Sequence, residues 1–535
     1  MNDTQVIVVG AGPVGLTLAI ALADLGVRCI LLERNDEPTG LPKMERCNAR
    51  TMEIYRRLGI ADEIRAAGLP ADCPMDVFVV TSLVEEPILR LPYPSVNECK
   101  ADIASHNDGT RTLEPYQLIS QYTLEPLLKS IAEKNPLIDV RFGCEFLSFE
   151  QAEEGVTAFC RNSAGQKTRI SANYLVGCDG AASAVRKQLG IKLAGNGDML
   201  TLYQALFRCD DLYERIPIGK GRHYHVCDDQ AGFIIVQDDT RHFTLHAVVD
   251  DAAEMPKLFE KIVAMPIKYE TLFAGQWTQR LLLADRYGSG RVFIAGDAAH
   301  LVIPTGGLGM NTGVGDAIDL AWKLQATLAG WGGNKLLPSY ETERRQIGER
   351  NVTASGRANK GRRRWRSAWR PEIRDDTPEG AAIRANVAAI ANVEQRKTNE
   401  ILGIEAGYRY RQSPLIWPEP GNGPDPDNPD YVPTTWPGFR LPHVWLSDRS
   451  AIHDRMGKGF ILLRFDNGRA DLSGLVTALK TRNVPHDVLE FDDPAAVAVY
   501  EGYEIFLLRP DLHIAWRGNE APAKADALVA MVTGN

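Results

Sequence analysis

The chain has 535 residues, with 44% hydrophobic and 24% charged residues and a net charge of −9 at pH 7. This length allows two to four domains, and the negative balance argues against a nucleic-acid partner. Nine cysteines without a CxxC pair argue against a metal site and favour reduced thiols in a cytoplasmic protein. We find no signal peptide, and no apolar run reaches the ~18 residues of a membrane span.

The first predicted elements are a strand at Val6–Val9, a helix over Leu16–Leu25 and a second strand over Val27–Leu32. The turn between the first strand and the helix reads GxGxxG and contains Gly10, Gly12, Pro13, Val14 and Gly15. Such glycines permit a tight turn, close approach of a pyrophosphate and close packing of the helix. The helix start then presents free N–H groups to the phosphates.

The second strand ends before Glu33, where a carboxylate accepts hydrogen bonds from ribose hydroxyls. Arg34, its neighbour, is either a contact to the adenosine end or a solvated arginine. Strand, turn, helix, strand and acid in this order predict an ADP-containing dinucleotide. An ordinary βαβ unit with a glycine turn is the alternative.

The middle of the chain alternates between strands and helices. A loop with Arg46 leads to a helix from Asn48. Strands are predicted at 76–80, 87–91, 140–149, 156–162 and 174–177, and helices at 118–132 and from Ser183 to Gly190. Residues 200–285 alternate apolar and polar side chains, which is typical of an antiparallel sheet with one face on a cavity. Candidate pocket residues there are Tyr203, Arg208, His223 and His225, of which about half face away because side chains alternate along a strand.

A glycine-rich signal returns about 280 residues after the first. A strand from Arg291 ends at Asp297, and a loop at 304–313 precedes a helix over Val314–Leu328. The loop contains the candidate residues Pro304, Gly307, Gly309, Met310 and Asn311. We therefore predict a discontinuous dinucleotide domain into which the antiparallel domain is inserted. A glycine-rich linker with a helix cap is the alternative.

The last third begins with helices at 338–356 and within 380–405. A basic run at Arg362–Arg366 is interpreted as a solvated helix or a subunit contact rather than a nucleic-acid site. Residues 414–437 are rich in Pro, Asp, Gly and Asn and predict a linker. An α/β unit from Val444 to the end follows, with strands at 460–465, 487–490, 505–509 and 514–516.

Three motifs together resemble the single-component FAD-dependent aromatic hydroxylases, the family of p-hydroxybenzoate and phenol hydroxylases. They are the first glycine turn with Glu33, the stretch Asp179–Arg186 that is similar to DGxxSxVR, and Gly296–His300 with the following glycine loop. Their order and spacing are those of the family, and the resemblance covers roughly residues 4–400. The end of the chain resembles the phenol hydroxylase branch, which carries a thioredoxin-like domain.

The resemblance implies an α/β fold with a Rossmann-like FAD-binding domain of the GR2 type, an inserted antiparallel substrate domain and a C-terminal thioredoxin-like domain. The predicted segments are FAD-binding at 1–75, 101–185 and 286–410, substrate domain at 76–100 and 186–285, linker at 411–443 and thioredoxin-like at 444–535. Because the last unit lacks CxxC, a redox role for it is unsupported.

The resemblance also implies roles for single residues. Asp297 would accept from the ribityl chain of FAD, and Gln121 and Asp179 would contact FAD; a surface glutamine and a helix cap are the alternatives. Arg46 and Asn48 would lie along the cofactor and substrate. Glu45 stands near the place of a substrate-side aspartate in phenol hydroxylase and would accept the phenolic proton; a solvent-facing acid is the alternative.

The implied activity is hydroxylation of a small phenolic or related aromatic compound. NADPH or NADH would reduce FAD as a transient co-substrate, and O2 would form a hydroperoxide on flavin carbon 4a. The competing readings are another oxidation on the same scaffold, such as epoxidation or oxidative decarboxylation, and a non-catalytic FAD-binding partner. The oligomeric state is open, with a homodimer as one option.

Overall fold

The protein, described over residues 2–535 by a computed structural model, contains five β-sheets and the helices that pack on them. The strands are β1 Val6–Val9, β2 Cys29–Leu32, β3 Arg46–Cys47, β4 Val77–Val80, β5 Leu89–Leu91, β6 Gln117–Leu118, β7 Ile138–Arg141, β8 Cys144–Gln151, β9 Val156–Asn162, β10 Lys167–Ala172, β11 Tyr174–Gly177, β12 Leu193–Arg208, β13 His223–Val226, β14 Phe233–Val236, β15 His242–Ala247, β16 Glu270–Ala284, β17 Gly288–Ser289, β18 Val292–Ile294, β19 His300–Leu301, β20 Phe460–Arg464, β21 His486–Glu490, β22 Ile505–Leu508 and β23 Ile514–Gly518.

The α-helices are α1 Pro13–Asp24, α2 Ala49–Arg57, α3 Ala61–Ala67, α4 Val96–Ser105, α5 Gln121–Glu133, α6 Ala184–Gln188, α7 Leu212–Arg215, α8 Met255–Val263, α9 Leu308–Leu328, α10 Ser339–Arg366, α11 Pro378–Glu394, α12 Arg396–Asn399, α13 Leu402–Ala406, α14 Ser473–Thr481, α15 Pro494–Val499 and α16 Ala525–Val532. Short 3-10 helices lie at Ala252–Glu254, Gly296–Ala298, Pro371–Arg374 and Ile452–Arg455. None of the helices within residues 2–535 combines the length and the apolar character that crossing a bilayer requires.

The six-stranded sheet has the order β17-β18-β11-β1-β2-β7, and its pairs are parallel except for the edge strand β17. Strand β1 is fully buried between β2 and β11, which explains its continuous apolar sequence. Because β1, β11 and β18 are parallel neighbours, the loops after their carboxyl ends meet at one edge of the sheet. Those loops carry the three motifs.

The eight-stranded sheet has the order β19-β16-β12-β15-β14-β13-β4-β5 and is antiparallel except for the pair of β4 with β13. Because side chains alternate between the two faces of the sheet, one face packs in an apolar core. Phe207 of β12 and Phe259 of the underlying helix α8 belong to this core. The opposite face turns toward the first sheet. The predicted antiparallel sheet is therefore present and includes Val77–Val80 and Leu89–Leu91, while its role as a substrate domain and the boundaries of the seven predicted segments stay predictions.

The C-terminal unit is a four-stranded sheet of order β21-β20-β22-β23 with α14, α15 and α16 around it, and it has the predicted thioredoxin-like character. Its attachment to the rest of the protein combines an apolar cluster, in which Phe460 packs on Trp322 and Trp331, with a fully buried ionic cluster. Arg509 donates from Nη1 to Glu343 Oε1 at 2.5 Å and from Nη2 to Asp319 Oδ1 at 3.1 Å. Lys323 Nζ lies 2.6 Å from Glu343 Oε2. The cluster therefore joins β22 to α9 and α10.

Several predicted boundaries differ from the structure. Helix α1 begins at Pro13 rather than at Leu16, because a proline at the first helical position has its φ already set for a helix. Helix α10 continues through the basic run to Arg366 instead of ending at 356. The region 380–405 divides into α11, α12 and α13.

We expect Arg509→Met to lower the free energy of unfolding by about 3–5 kcal/mol, because three buried carboxylates lose a cation that they share and only Lys323 remains beside Asp319 and Glu343. Urea unfolding followed by tryptophan fluorescence measures this change. The matched control is Arg482→Met, which removes the exposed pair of Arg482 with Asp526 and should cost less than about 1 kcal/mol. Equal shifts for the two variants would contradict the role of the buried cluster.

Candidate active site

A cavity of ≈ 730 Å³ lies between the edge of the six-stranded sheet and the open face of the eight-stranded sheet. Most residues singled out from the sequence line it. They are Gly10, Gly12, Pro13, Val14, Glu33, Arg34, Glu45, Arg46, Gln121, Asp179, His223, Asp297, Pro304, Gly307, Gly309, Met310 and Asn311. Segments that are up to 300 positions apart in sequence therefore form one site.

The first glycine turn leaves no room for side chains where it meets the sheet. Gly10 has φ +102°, and a β-carbon on it would lie 2.5 Å from the Cys178 carbonyl oxygen. A β-carbon on Gly15 would lie 1.9 Å from the Gly10 carbonyl oxygen, so Gly15 permits helix packing and does not line the cavity. Around Gly12 the nearest atom to a β-carbon is 3.9 Å away, which leaves its backbone open to a ligand.

Glu33 is held at the end of β2 by local hydrogen bonds. Its Oε2 accepts from the Ala11 N–H at 3.0 Å, and its Oε1 accepts from the Asn35 N–H at 3.0 Å. The carboxylate thus reaches across to the glycine turn, with Arg34 beside it on the cavity wall. This is the arrangement that recognises a ribose next to a pyrophosphate.

The position of Asp179 fits both roles predicted for it, a contact to FAD and a helix cap. It lines the cavity, and its Oδ2 also accepts from the Ala184 N–H at 2.7 Å at the start of α6. Arg186 of the same motif donates to the Ala298 carbonyl at 3.1 Å and so links the second motif to the third. Gln121, the first residue of α5, donates to Glu125 Oε1 at 2.6 Å at the cavity wall.

The third motif is positioned by Asp316, a residue that the sequence analysis missed. Asp316 is completely buried and accepts from the Gly296 N–H at 3.1 Å, from His300 Nε2 at 2.9 Å and from Arg344 Nε at 2.8 Å. Burial opposes its ionisation, but Arg344 and His300 outweigh burial and lower its pKa. An acid on the buried face of an otherwise apolar helix is the signal that could have revealed it.

Asp297 directly follows Gly296, which Asp316 binds, and its carboxylate lines the cavity. Burial raises its pKa, against the opposing charges of His300 and Lys43. The side chain of Asp297 is nevertheless accessible from the cavity, so a ligand can donate hydrogen bonds to its carboxylate. The hydroxyl groups of a bound sugar alcohol chain would supply them.

The glycine loop before α9 is tied to the loop at 46–48. Arg46 Nη2 donates to the Gly306 carbonyl at 2.8 Å and to Glu405 Oε1 at 2.6 Å. The Asn48 N–H donates to Asn311 Oδ1 at 2.9 Å. Asn48 itself caps α2 and does not line the cavity, so it acts on the site through Asn311. Glu405 was also missed from the sequence, because its partner lies 359 positions away.

At the far end of the cavity, Glu45 pairs with His223 on β13. His223 Nε2 lies 2.7 Å from Glu45 Oε2, and Arg222 Nη2 lies 3.5 Å from His223 Nδ1. Burial lowers the pKa of His223 to about 4, although Glu45 opposes this. Burial opposes ionisation of Glu45, but His223, Arg222 and Arg46 hold its pKa at about 2. At neutral pH the pair is therefore a carboxylate that accepts from a neutral imidazole.

The open face of the eight-stranded sheet forms the wall around this pair. His246 stacks on Phe233 with ring centroids 4.6 Å apart, and its Nδ1 accepts from Trp277 Nε1 at 3.1 Å. Burial lowers the pKa of His246 to about 3, so the ring is neutral and its proton is on Nε2. Flat aromatic side chains on a cavity wall suit a flat aromatic ligand.

Three predicted pocket residues lie elsewhere. Tyr203 packs against the apolar core on the opposite face of the sheet. Arg208 is exposed and pairs with Asp210 at 3.1 Å. His225 points to the same side as His223 but is covered by Trp365, with ring centroids 6.3 Å apart. We therefore do not include these three residues in the site, since strand alternation alone cannot show which face a neighbouring helix covers.

Comparison with known proteins agrees with this geometry. A family model described as FAD binding domain matches residues 3–355, and one described as aromatic-ring hydroxylase, C-terminal, matches residues 434–534. The chain belongs to the FAD-dependent aromatic-ring hydroxylases. The order of motifs anticipated from the sequence is therefore confirmed at the level of the family.

Individual relatives are similar over nearly their whole length. The FAD-dependent monooxygenase apdD of Emericella nidulans is 34% identical and matches 100% of this chain and 91% of its own. Aklavinone 12-hydroxylase DnrF of Streptomyces peucetius is 32% identical over 88% of this chain and 92% of its own. The solved structure of the rebeccamycin biosynthetic enzyme RebC with reduced flavin has a TM-score of 0.89 at 33% identity, and covers 99% of both chains. The hydroxylase is thus an FAD-dependent aromatic monooxygenase.

The cavity of the hydroxylase fits FAD on grounds of its own geometry. The open backbone at Gly12 suits a pyrophosphate, Glu33 suits the ribose and Asp297 suits the ribityl chain. The glycine loop leads directly into α9, whose N-terminus carries free N–H groups and a partial positive charge. These groups would hold the flavin ring.

We expect Asp297→Ala to weaken FAD binding about 10- to 100-fold, because hydrogen bonds to a charged group contribute about 1.5–3 kcal/mol. Titration of apo-protein with FAD and the flavin absorbance per protein after gel filtration measure the effect. Asp198→Ala, at an exposed acid, is the control and should leave FAD content unchanged. Full FAD content in Asp297→Ala would contradict the role.

Proposed function

We propose that the hydroxylase adds one oxygen atom from O2 to a phenolic or otherwise electron-rich aromatic compound and consumes NADH or NADPH. The observation that carries this proposal is the Glu45–His223 pair on the aromatic wall of the same cavity that fits FAD. The names of relatives support the substrate class, since they include aklavinone 12-hydroxylase and 4-methyl-5-nitrocatechol 5-monooxygenase.

The residues present indicate which part of the reaction FAD would perform and which part the protein would perform. FAD, when bound and reduced, supplies the activation of O2, and the protein supplies binding, orientation and exclusion of water. Backbone N–H groups of Gly309–Asn311 and the positive end of α9 would favour negative charge on a flavin bound in this cavity. No second GxGxxG fingerprint follows a strand in the chain, so NAD(P)H would dock transiently.

Glu45 is the group that would hold the substrate hydroxyl. Its Oε2 is occupied by His223 at 2.7 Å, which leaves Oε1 to accept the phenolic proton in a hydrogen bond. Because its pKa is about 2, Glu45 stays ionised and acts as a fixed acceptor rather than a strong base. A phenol that donates to a carboxylate carries more electron density on its ring, which favours attack by an electrophilic oxygen.

A second candidate is a different oxidation on the same scaffold. The similarity to RebC, a rebeccamycin biosynthetic enzyme, is the specific observation in its favour. A non-catalytic FAD-binding role is the third reading. The three differ in product: hydroxylation adds one oxygen to the aromatic, other oxidations give a different mass change, and a binder gives no turnover.

The test of the proposed function is a panel of phenols and polycyclic phenols mixed with holoenzyme and NADH or NADPH. We expect an aromatic substrate to accelerate NAD(P)H oxidation and to gain the mass of one oxygen, with nearly one product per NAD(P)H. Flavin that is never reduced by either nicotinamide, under any member of the panel, would contradict the proposal.

We expect Glu45→Gln to lower hydroxylation about 100-fold or more while FAD content stays normal, because the neutral amide cannot polarise the phenol. Product yield per NAD(P)H and turnover are the measurements. Glu150→Gln, at an exposed acid of β8, is the control and should leave turnover unchanged. Wild-type turnover in Glu45→Gln would remove Glu45 from the site.

A further inference from the structure

The basic run on α10, interpreted from the sequence as a solvated helix, sends one arginine into the active-site cavity. Arg362 lines the cavity together with Phe233 and Gln279. Its guanidinium carbon lies 5.2 Å from the centre of the Phe233 ring. The sequence interpretation of Arg362 as a solvated or subunit-contact residue therefore needs correction.

Arg362 is half-buried and lacks the partners that an arginine in a protein interior normally has. Its Nε is buried without a hydrogen-bond partner within residues 2–535. Burial lowers the pKa of Arg362 to about 9, and Arg366 and Arg222 add to this effect against the single opposing charge of Glu45. A partly desolvated cation without an anion is costly, and a ligand in the cavity would supply one.

The neighbouring charges do not supply that anion. Glu45 is engaged by His223, and Glu405 is engaged by Arg46 at 2.6 Å. Arg222, behind His223, donates to the neutral Asn399 Oδ1 at 2.9 Å. The sheet end of the cavity therefore has more positive than negative charge.

A second unpartnered polar group lies at the same place. Gln279 is 8% exposed, and its Oε1 is buried without a hydrogen-bond partner in the described chain. An amide oxygen in this position needs a donor, such as a hydroxyl group on a ligand. Arg362 and Gln279 together thus present a cation and an acceptor beside the Phe233 ring.

The same three residues also line a second cavity of ≈ 520 Å³, where four arginines, Arg362 among them, outnumber the two acids Asp228 and Asp229 and the arginines Arg363 and Arg370 are exposed. Positive charge along an approach raises the local concentration of anionic ligands. The arrangement is therefore consistent from the surface to the wall of the active site.

We propose that the substrate of the hydroxylase is an aromatic compound with an anionic oxygen, from a carboxylate or an ionised phenol, and that Arg362 binds this oxygen. A hydroxyl group on the same ligand donates to Gln279. This inference rests on the proposed function, since it names the class of aromatic that the site accepts. Arg362 thereby sets substrate specificity, while Glu45 holds the hydroxyl of the reacting ring.

The test uses matched ligands and holoenzyme. The probes are 1-hydroxy-2-naphthoate against 1-hydroxy-2-naphthamide for the carboxylate, and 4-nitrophenol against 4-nitroanisole for the ionised phenol. Binding is measured by the change in flavin absorbance. In the wild type we expect the anionic member of at least one pair to bind at least tenfold more tightly.

Arg362→Gln should reduce the affinity for that anionic member about 10- to 100-fold and leave its neutral partner unaffected, because it removes the charged hydrogen-bond donor to the anionic oxygen. Arg362→Lys should restore part of the preference. Arg364→Gln removes an equal charge two residues away, from an exposed arginine that pairs with Glu394 outside both cavities, and should retain the full preference.

Equal binding of both members in both pairs, or an anion preference that survives in Arg362→Gln, would overturn the inference. An equal loss in Arg364→Gln would also overturn it, since the effect would then come from net charge. The proposed function fails separately, through absent flavin reduction in the phenol panel. The pair that loses its preference in Arg362→Gln identifies the source of the anionic oxygen.

Discussion

The carboxylate of Asp316 is the contact on which the active site depends. A buried carboxylate must be neutralised and hydrogen-bonded, and Asp316 meets this need with the Gly296 N–H, His300 and Arg344. These bonds fix the end of β18 against α9 and α10. Because Asp297 follows Gly296 directly and the glycine loop opens α9, one buried anion sets the positions of both the carboxylate and the helix N-terminus that would hold FAD.

The two ends of the cavity use different physical means of recognition. The nucleotide end relies on backbone, since Gly12 leaves its backbone open to a ligand and Glu33 is the fixed carboxylate. The sheet end relies on charged and aromatic side chains, among them the Glu45–His223 pair and Arg362. A backbone site suits a cofactor common to a whole family. A side-chain site can change with the substrate while the fold stays the same.

The fold and the cofactor end were largely predictable, because their signals are local. A stretch of thirty residues contains the GxGxxG turn, the acid after β2 and the apolar run of β1. The sheet end was predictable only in part. Glu45 and His223 were each proposed, but their contact at 2.7 Å spans 178 positions. The structure does not place Tyr203, Arg208 or His225 in the pocket for which they were proposed. The strand pattern alone does not show which face of the sheet a helix or the core covers.

The sequence alone determined the family, the βαβ unit, the alternation of the substrate sheet and the thioredoxin-like end, since each depends on the spacing of neighbouring residues. The tertiary structure decided which distant charges meet. Asp316 with Arg344, Arg46 with Glu405, and Arg509 with Glu343 are pairs whose partners no local pattern indicates. It also decided that Arg362 reaches the cavity instead of solvent. The reason is that burial and long-range pairing arise only when separate segments pack together.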